Sequence, residues 1–171
     1  MGSEMCIRDR LMELVETARL TPSAANRQPF KYRIVCDEEE NEKVFRLLGF
    51  AGYLKDWDGP SEGEKPTGYI VITCPANVND EVDAGIVGQT MLLAATEAGF
   101  GGCVFGNVKR DELKTQLNIP SELKIVYVIA FGYPKEEVVL EDIPADGDIK
   151  YYRDENQVHH VPKKRIEDIV L

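Results

Sequence analysis

Leu11, Leu14, Val15, Ala18 and Leu20 fall at helical spacing, one apolar stripe on an otherwise polar segment. Thr21-Pro22-Ser23 stops that helix, because proline disfavours the helical conformation in the residue before it. A loop, Pro22 to Pro29, leads to Tyr32-Arg33-Ile34-Val35-Cys36, which reads as a strand. Asp37 to Glu40 then gives a second helix an acidic start, where negative charge suits the positive end of the dipole. Val44, Phe45, Leu47 and Leu48 supply its apolar face.

From Gly49 to Pro66 the pattern lapses into glycine, proline and aspartate, an exposed loop that includes Tyr53, Lys55 and Trp57. Tyr69 to Cys74 is nearly continuous in apolar character and predicts a strand buried on both faces. The next helix runs from about Glu81 to Ala98, with Gly99 where a C-terminal cap belongs. Gly85 and Gly88 predict a close approach of another backbone to it. Asp111 to Leu117 is a short helix ended by Asn118-Ile119-Pro120, Ile125 to Phe131 reads as the central strand, and extended structure returns near Val158 to Val161. No period of 20 to 50 residues is visible. The expectation is an atypical segment, 1–10, followed by a single α+β or α/β layer domain, 11–171.

Composition narrows the function. The chain has 171 residues, 43% of them hydrophobic, enough for one core. Its 30 acidic against 20 basic residues give a net charge of −10, which disfavours nucleic acid or an anionic membrane as partner. Cys6, Cys36, Cys74 and Cys103 form no C-x-x-C pair, so a reducing, cytoplasmic setting fits better than a disulfide scaffold or a zinc knuckle. Ala84 to Thr96 is uncharged but shorter than the roughly 20 residues a bilayer span needs. Met1 to Arg10 has neither the apolar stretch nor the cleavage site of a secretory signal.

His159 and His160, adjacent in an extended segment, would point to opposite faces, which gives a two-histidine metal site or a Ser-His-Asp triad little to work with. Phosphate-loop patterns are missing too: Gly99-Phe100-Gly101 begins a dinucleotide fingerprint that fails at Val104.

Three features remain. Pro22-Ser23-Ala24-Ala25-Asn26-Arg27-Gln28-Pro29 reads either as a helix stop with a self-bonded turn or as a ligand-lining loop. In the second case Ser23, Asn26 and Gln28 would offer neutral donors and acceptors to a flat polar ring. Gly101-Gly102-Cys103-Val104-Phe105-Gly106 reads either as a helix end running into a strand or as backbone brought close to a planar cofactor. Cys103 is expected to be a small buried hydrophobe rather than a nucleophile. Lys163-Lys164-Arg165 reads either as a solvated basic cluster or as a seat for a phosphate dianion.

Together these segments resemble the nitroreductase family of FMN-dependent oxidoreductases. Ala18 to Phe30 resembles the family's signature loop, Asp83-Ala84-Gly85-Ile86-Val87-Gly88-Gln89 through Gly106 its central helix and flavin-side loop, Ile129 to Pro134 its core strand, and His160-Val161-Pro162-Lys163-Lys164 its C-terminal basic motif. The likeness spans roughly residues 11 to 170. The family's usual first helix, with an Arg-x-Ser-x-Arg type motif for the FMN phosphate, is not found in Met1 to Arg10, so a truncated or wrongly joined start is expected, Arg8 and Arg10 being poor stand-ins.

The resemblance implies an α+β, three-layer fold, a central mixed or antiparallel sheet flanked by helices, in an intertwined homodimer with FMN at the interface and NAD(P)H as electron donor. It implies hydride transfer through flavin N5 to a small organic acceptor, nitroaromatic or quinone, by a ping-pong mechanism, with no side-chain catalyst required. Pro22, Ser23, Ala24, Asn26 and Gln28 would meet the ring edge and ribityl chain. Gly102, Cys103, Val104, Phe105 and Gly106 would offer backbone to the pyrimidine edge and N5, and Lys163, Lys164 and Arg165 would meet the phosphate. The alternatives are a flavin-binding or inactive relative, or a specialised reaction on the same scaffold: dehalogenation, enone reduction or dehydrogenation. The loop from Gly49 to Pro66 is the expected lid over the acceptor.

Overall fold

The computed structural model describes residues 2–54, 57, 59–145 and 147–171; Lys55, Asp56 and Asp58 of the expected lid lie outside them. Two compact units emerge, one formed by residues 1–49 and 61–133, the other by 50–60 and 134–171.

The first unit is built on a four-stranded sheet in the order β1-β2-β4-β3, from β1 (Lys31–Val35), β2 (Gly68–Pro75), β3 (Gly101–Phe105) and β4 (Leu123–Gly132). Every pairing in it is antiparallel, which settles the α+β alternative over α/β. Helices α1 (Gly2–Ala18) and α3 (Glu81–Glu97) cover one face. Leu11, Leu14, Ala18, Val87, Met91 and Ala95 from these helices meet Ile70, Ile72, Ile129 and Phe131 of the interior strands. On the other face, α2 (Glu38–Phe45) packs on β2 and α4 (Arg110–Gln116) on β4. Because successive strand residues point to opposite faces, this face receives Tyr69, Val71 and Val128, all fully buried. Burial on both faces explains the unbroken apolar run of β2, as its sequence predicts.

Local chemistry sets the ends of these elements. Asp37 caps α2, its carboxylate accepting from the backbone N–H of Glu39 and Glu40. Helix α3 closes with Phe100 N–H donating to Ala95 C=O and Gly99 N–H to Thr96 C=O. Gly99 takes the left-handed φ of 80° that this closure needs. Helix α1 starts well before Leu11, since half-buried Ile7 extends the Leu11, Leu14, Ala18 stripe by one turn.

Gly85 is exposed, with open space where a Cβ would stand, and a Cβ on Gly88 would stand 3.6 Å from Ile129 Cδ1. One expectation needs correction here: Cys103 is exposed rather than buried.

The second unit carries a three-stranded sheet, β5-β7-β6, of β5 (Val138–Asp142), β6 (Tyr152–Arg153) and β7 (His159–Lys163). β5 runs parallel to β7 and β6 antiparallel to it. Only β7 is legible beforehand, as the extended stretch near Val158 to Val161. No helix among the described residues is long and apolar enough to cross a membrane.

Candidate functional site

The loop after α1 is a self-bonded turn that leaves its amides pointing outward. Ala24–Asn26 form a single 3-10 turn, closed by Asn26 N–H to Ser23 C=O and Arg27 N–H to Ala24 C=O. Ser23 Oγ accepts from the Gln28 N–H at 2.9 Å, which leaves the hydroxyl hydrogen available to donate. Gln28 Nε2 donates to Asn26 Oδ1 at 3.0 Å. Among the described residues Asn26 Nδ2 and Gln28 Oε1 have no partner, and both side chains are exposed. The turn thus presents one amide donor, one amide acceptor and one hydroxyl in a span of six residues. The self-bonded turn read from the sequence is therefore observed.

The turn is strained. Ala25, Asn26 and Gln28 adopt φ of 51°, 53° and 48°, and left-handed backbone at a residue other than glycine costs on the order of 1 kcal/mol or more each. The first turn of α3 steadies it. Asp83, 6% exposed, accepts from the Ala24 N–H at Oδ2, 2.9 Å away. Asp80 Oδ1 receives the Arg27 guanidinium at 2.6 Å. Neither aspartate stands out as a site residue in the sequence, where acid at a helix start reads as a partner for the dipole. Only the fold reveals that their carboxylates belong to a loop more than fifty residues upstream.

Gly102 to Gly106 occupy β3 and the residue after it. Among the described residues β3 pairs with β4 alone, which places it at the edge of the sheet. Gly102 is glycine for an internal reason: a Cβ there would stand 2.7 Å from Ala130 O, 2.8 Å from Leu92 Cδ2 and 2.9 Å from Phe131 Cδ1. Gly106 faces open space. Cys103 and Val104 are exposed and Phe105 is buried.

Lys163, Lys164 and Arg165 belong to the second unit, at and just beyond the end of β7. All three are exposed. Arg165 pairs with Glu167 at 3.3 Å and Asp168 at 3.2 Å, so its charge is already partly answered. Among the described residues Lys163 and Lys164 have no ion-pair partner.

The same unit holds a network that the sequence does not announce. Trp57 packs edge-on against Phe50, and Arg153 lies across its ring. Arg153 donates to Glu136 Oε1, and His159 Nδ1 stands 3.1 Å from Glu136 Oε2. Tyr53 and Tyr151 rings meet at 5.0 Å, and Tyr151 in turn meets His159. His160 faces the other way, as adjacent strand residues must, stacking on Tyr152 at 4.8 Å with Nδ1 3.1 Å from Glu141 Oε2. Of the expected lid, Tyr53 and Trp57 thus pack on Tyr151 and Arg153 of this unit.

Comparison with known proteins gives a consistent result. Residues 66–133, from the approach to β2 to the end of β4, match the model of the nitroreductase family. A provisionally named NADH dehydrogenase/NAD(P)H nitroreductase of Archaeoglobus fulgidus is 29% identical over 136 residues, which is 73% of this chain and 72% of that protein. An iodotyrosine deiodinase of Thermotoga neapolitana is 26% identical over 144 residues, 74% of this chain and 77% of its own length. The fold is similar to that of an FMN-dependent nitroreductase from Clostridium difficile R20291, with a TM-score of 0.62 at 23% identity over 75% of this chain and 77% of that one. A nitroreductase family protein from Clostridium novyi NT gives a TM-score of 0.63 at 24% identity, covering 75% of each chain.

Proposed function

We propose that the protein, whose residues 66–133 match the model of the nitroreductase family, is an FMN-dependent oxidoreductase that takes electrons from NAD(P)H and delivers them to a small organic acceptor such as a nitroaromatic or a quinone. The observation that carries this reading is the outward donor and acceptor set of the 23–28 turn. Asn26 Nδ2, Gln28 Oε1 and the Ser23 hydroxyl are neutral and of mixed polarity, which is what the edge of a flavin ring, with its carbonyls and ring N–H, requires. The residues present therefore fit FMN.

Bound FMN would supply the hydride chemistry that links the nicotinamide to the acceptor. The chain's own residues do the holding. Pro22 and Ala24 carry the turn that presents Ser23, Asn26 and Gln28 to the ring edge. The backbone of Gly102, Cys103, Val104, Phe105 and Gly106, at the edge of the sheet, would meet the rim of the flavin ring. Lys163 and Lys164 provide point charges for the phosphate, Arg165 contributing less because of its own acidic neighbours. A second copy of the chain completes the site in this reading, the flavin lying between two subunits.

The test is the visible spectrum of the purified chain, with FMN added if none is bound, before and after anaerobic addition of NADH or NADPH. Flavin absorbance that bleaches supports the assignment. A chain that holds no FMN at micromolar concentration overturns it.

The similarity to iodotyrosine deiodinase favours one second reading, reductive dehalogenation of an aromatic substrate on the same scaffold. Iodide release from iodotyrosine by the reduced protein would replace the nitroaromatic or quinone reading with this one.

A further inference from the structure

Asp80 stands at the N-cap position of α3, where an aspartate normally accepts hydrogen bonds from the first free N–H groups of its own helix. It makes no such bond. Its carboxylate is turned to Arg27 instead, at 2.6 Å, with a side chain only 8% exposed. Three residues on, Asp83 is buried within the first turn and gives Oδ2 to the backbone N–H of Ala24. Two acids of one helix turn thus clamp the two shoulders of the 23–28 turn, and between the shoulders lie left-handed Ala25 and Asn26.

That geometry has a cost on each side. The helix forgoes a cap, and a carboxylate is kept nearly out of water. The turn, left alone, would relax out of its left-handed conformations, since alanine and glutamine favour the right-handed basin by a clear margin and asparagine by a smaller one. The cross-links answer both costs together, and what they secure is the outward aim of Asn26 Nδ2 and Gln28 Oε1.

We propose that Asp83, supported by the Asp80–Arg27 pair, is the positioning residue of the cofactor-binding turn, holding residues 23–28 in their ring-ready conformation before FMN arrives. Asp83 touches no cofactor atom in this scheme; it acts through the Ala24 N–H. The inference rests on the flavin reading above and deepens it: affinity for FMN depends on preorganisation from α3 as well as on the loop's own side chains.

The test compares Asp83→Ala with Asp83→Asn in the full-length chain. Two quantities are measured, FMN affinity by quenching of free flavin fluorescence and backbone amide exchange of residues 24–28 without FMN. Asp83→Ala is expected to weaken FMN binding by about tenfold or more, the loss of one charge-assisted bond. It is also expected to speed exchange at 24–28 while the amides of β2 and β4 stay protected. Asp83→Asn keeps an acceptor for the Ala24 N–H and is expected to stay within about threefold of the parent chain. Unchanged exchange at 24–28 in Asp83→Ala overturns the proposal, whether or not FMN binding falls. If that variant does not fold, Arg27→Ala and Asp80→Ala, each cutting the second clamp, must loosen the same amides, and failure to do so overturns it equally. A parent chain that takes no FMN would remove the functional reading alone, because exchange at 24–28 still decides whether α3 holds the turn.

Discussion

The guanidinium of Arg153 lies over the indole of Trp57, 4.5 Å from the ring centroid, while its Nη2 reaches Glu136 Oε1 at 2.6 Å. The cation is therefore fixed on one side by charge and offers its face to the ring on the other. Such a contact is worth roughly 0.5–2 kcal/mol. Trp57 is the chain's only tryptophan, so its emission reports on this anchor without interference. Arg153→Ala should shift that emission to the red and raise its accessibility to a quencher. Arg153→Lys, which keeps charge but loses the plane, should fall between. Emission identical to the parent in both variants would show that the pair does not hold the segment.

Acid should loosen the same place. Burial raises the Glu136 carboxyl, but the hydrogen bonds from Arg153 and His159 outweigh it, and the net effect is a value below the ordinary 4.5. A carboxyl held low in the folded state gives stability that is complete above its unfolded value and is lost as the pH falls through the folded one. The loss attributable to Glu136 therefore sets in as the pH falls toward the ordinary value of 4.5 and continues down through the folded one. Asp154, lowered by the N–H groups of Val158 and Asn156, despite partial burial, adds to the same window. In thermal melts the advantage of the parent chain over Glu136→Gln should be constant near neutrality and shrink in acid.

Glycine is required at 102 and dispensable for packing at 106. Gly102→Ala drives a Cβ into Ala130 O, Leu92 and Phe131, an overpacking that typically costs about 1–3 kcal/mol. Gly106→Ala meets nothing and should stay within about 0.5 kcal/mol of the parent. Denaturant midpoints of the two variants decide this. Equal midpoints would mean that β3 can step away from β4 at little expense.

Thiol labelling should separate two cysteines. Cys103 is exposed on the edge strand and Cys74 is buried, with its thiol pushed up by that burial. Under native conditions iodoacetamide should modify Cys103, with Cys74 reacting only after unfolding, as read by peptide mass. Bound FMN should slow the reaction at Cys103 if β3 faces the flavin.

Asn26→Ala removes the amide that the turn presents outward while leaving the Asp83–Ala24 bond in place. FMN should be retained less well, by about tenfold, the worth of one neutral hydrogen bond at the upper end of its range. Retention equal to the parent, measured by flavin remaining after gel filtration, would take Asn26 out of the site.

What the sequence reveals follows from how local each cause is. β2 and the Val128–Phe131 stretch of β4 are legible because burial on both faces favours apolar residues there, and the end of α3 because Gly99 supplies a conformation that others resist. The 22–29 loop is legible through its prolines and small polar residues. β5 and β6 are not: β5 exposes Val138, Val139 and Leu140, which have no alternating pattern to betray them, and β6 has just two residues. Cys103 misleads because an apolar neighbourhood in sequence lies on an open edge in space. Asp80 and Asp83 look like ordinary dipole partners, since a contact spanning more than fifty residues leaves no trace in local spacing.

The place of β2 between β1 and β4 also bears on synthesis. β1 precedes it, but its other neighbour pairs through residues 123–132, with α3, β3 and α4 intervening. A ribosome that has released Tyr69 to Cys74 must therefore add some fifty further residues before that edge is covered, which at about 5–20 residues per second is an interval of seconds. During it an uncharged segment with strong strand propensity stands open along one side, the kind that recruits like segments. The nascent chain is most in need of a chaperone in that window, and a stall or premature stop before residue 123 would leave a product prone to aggregate.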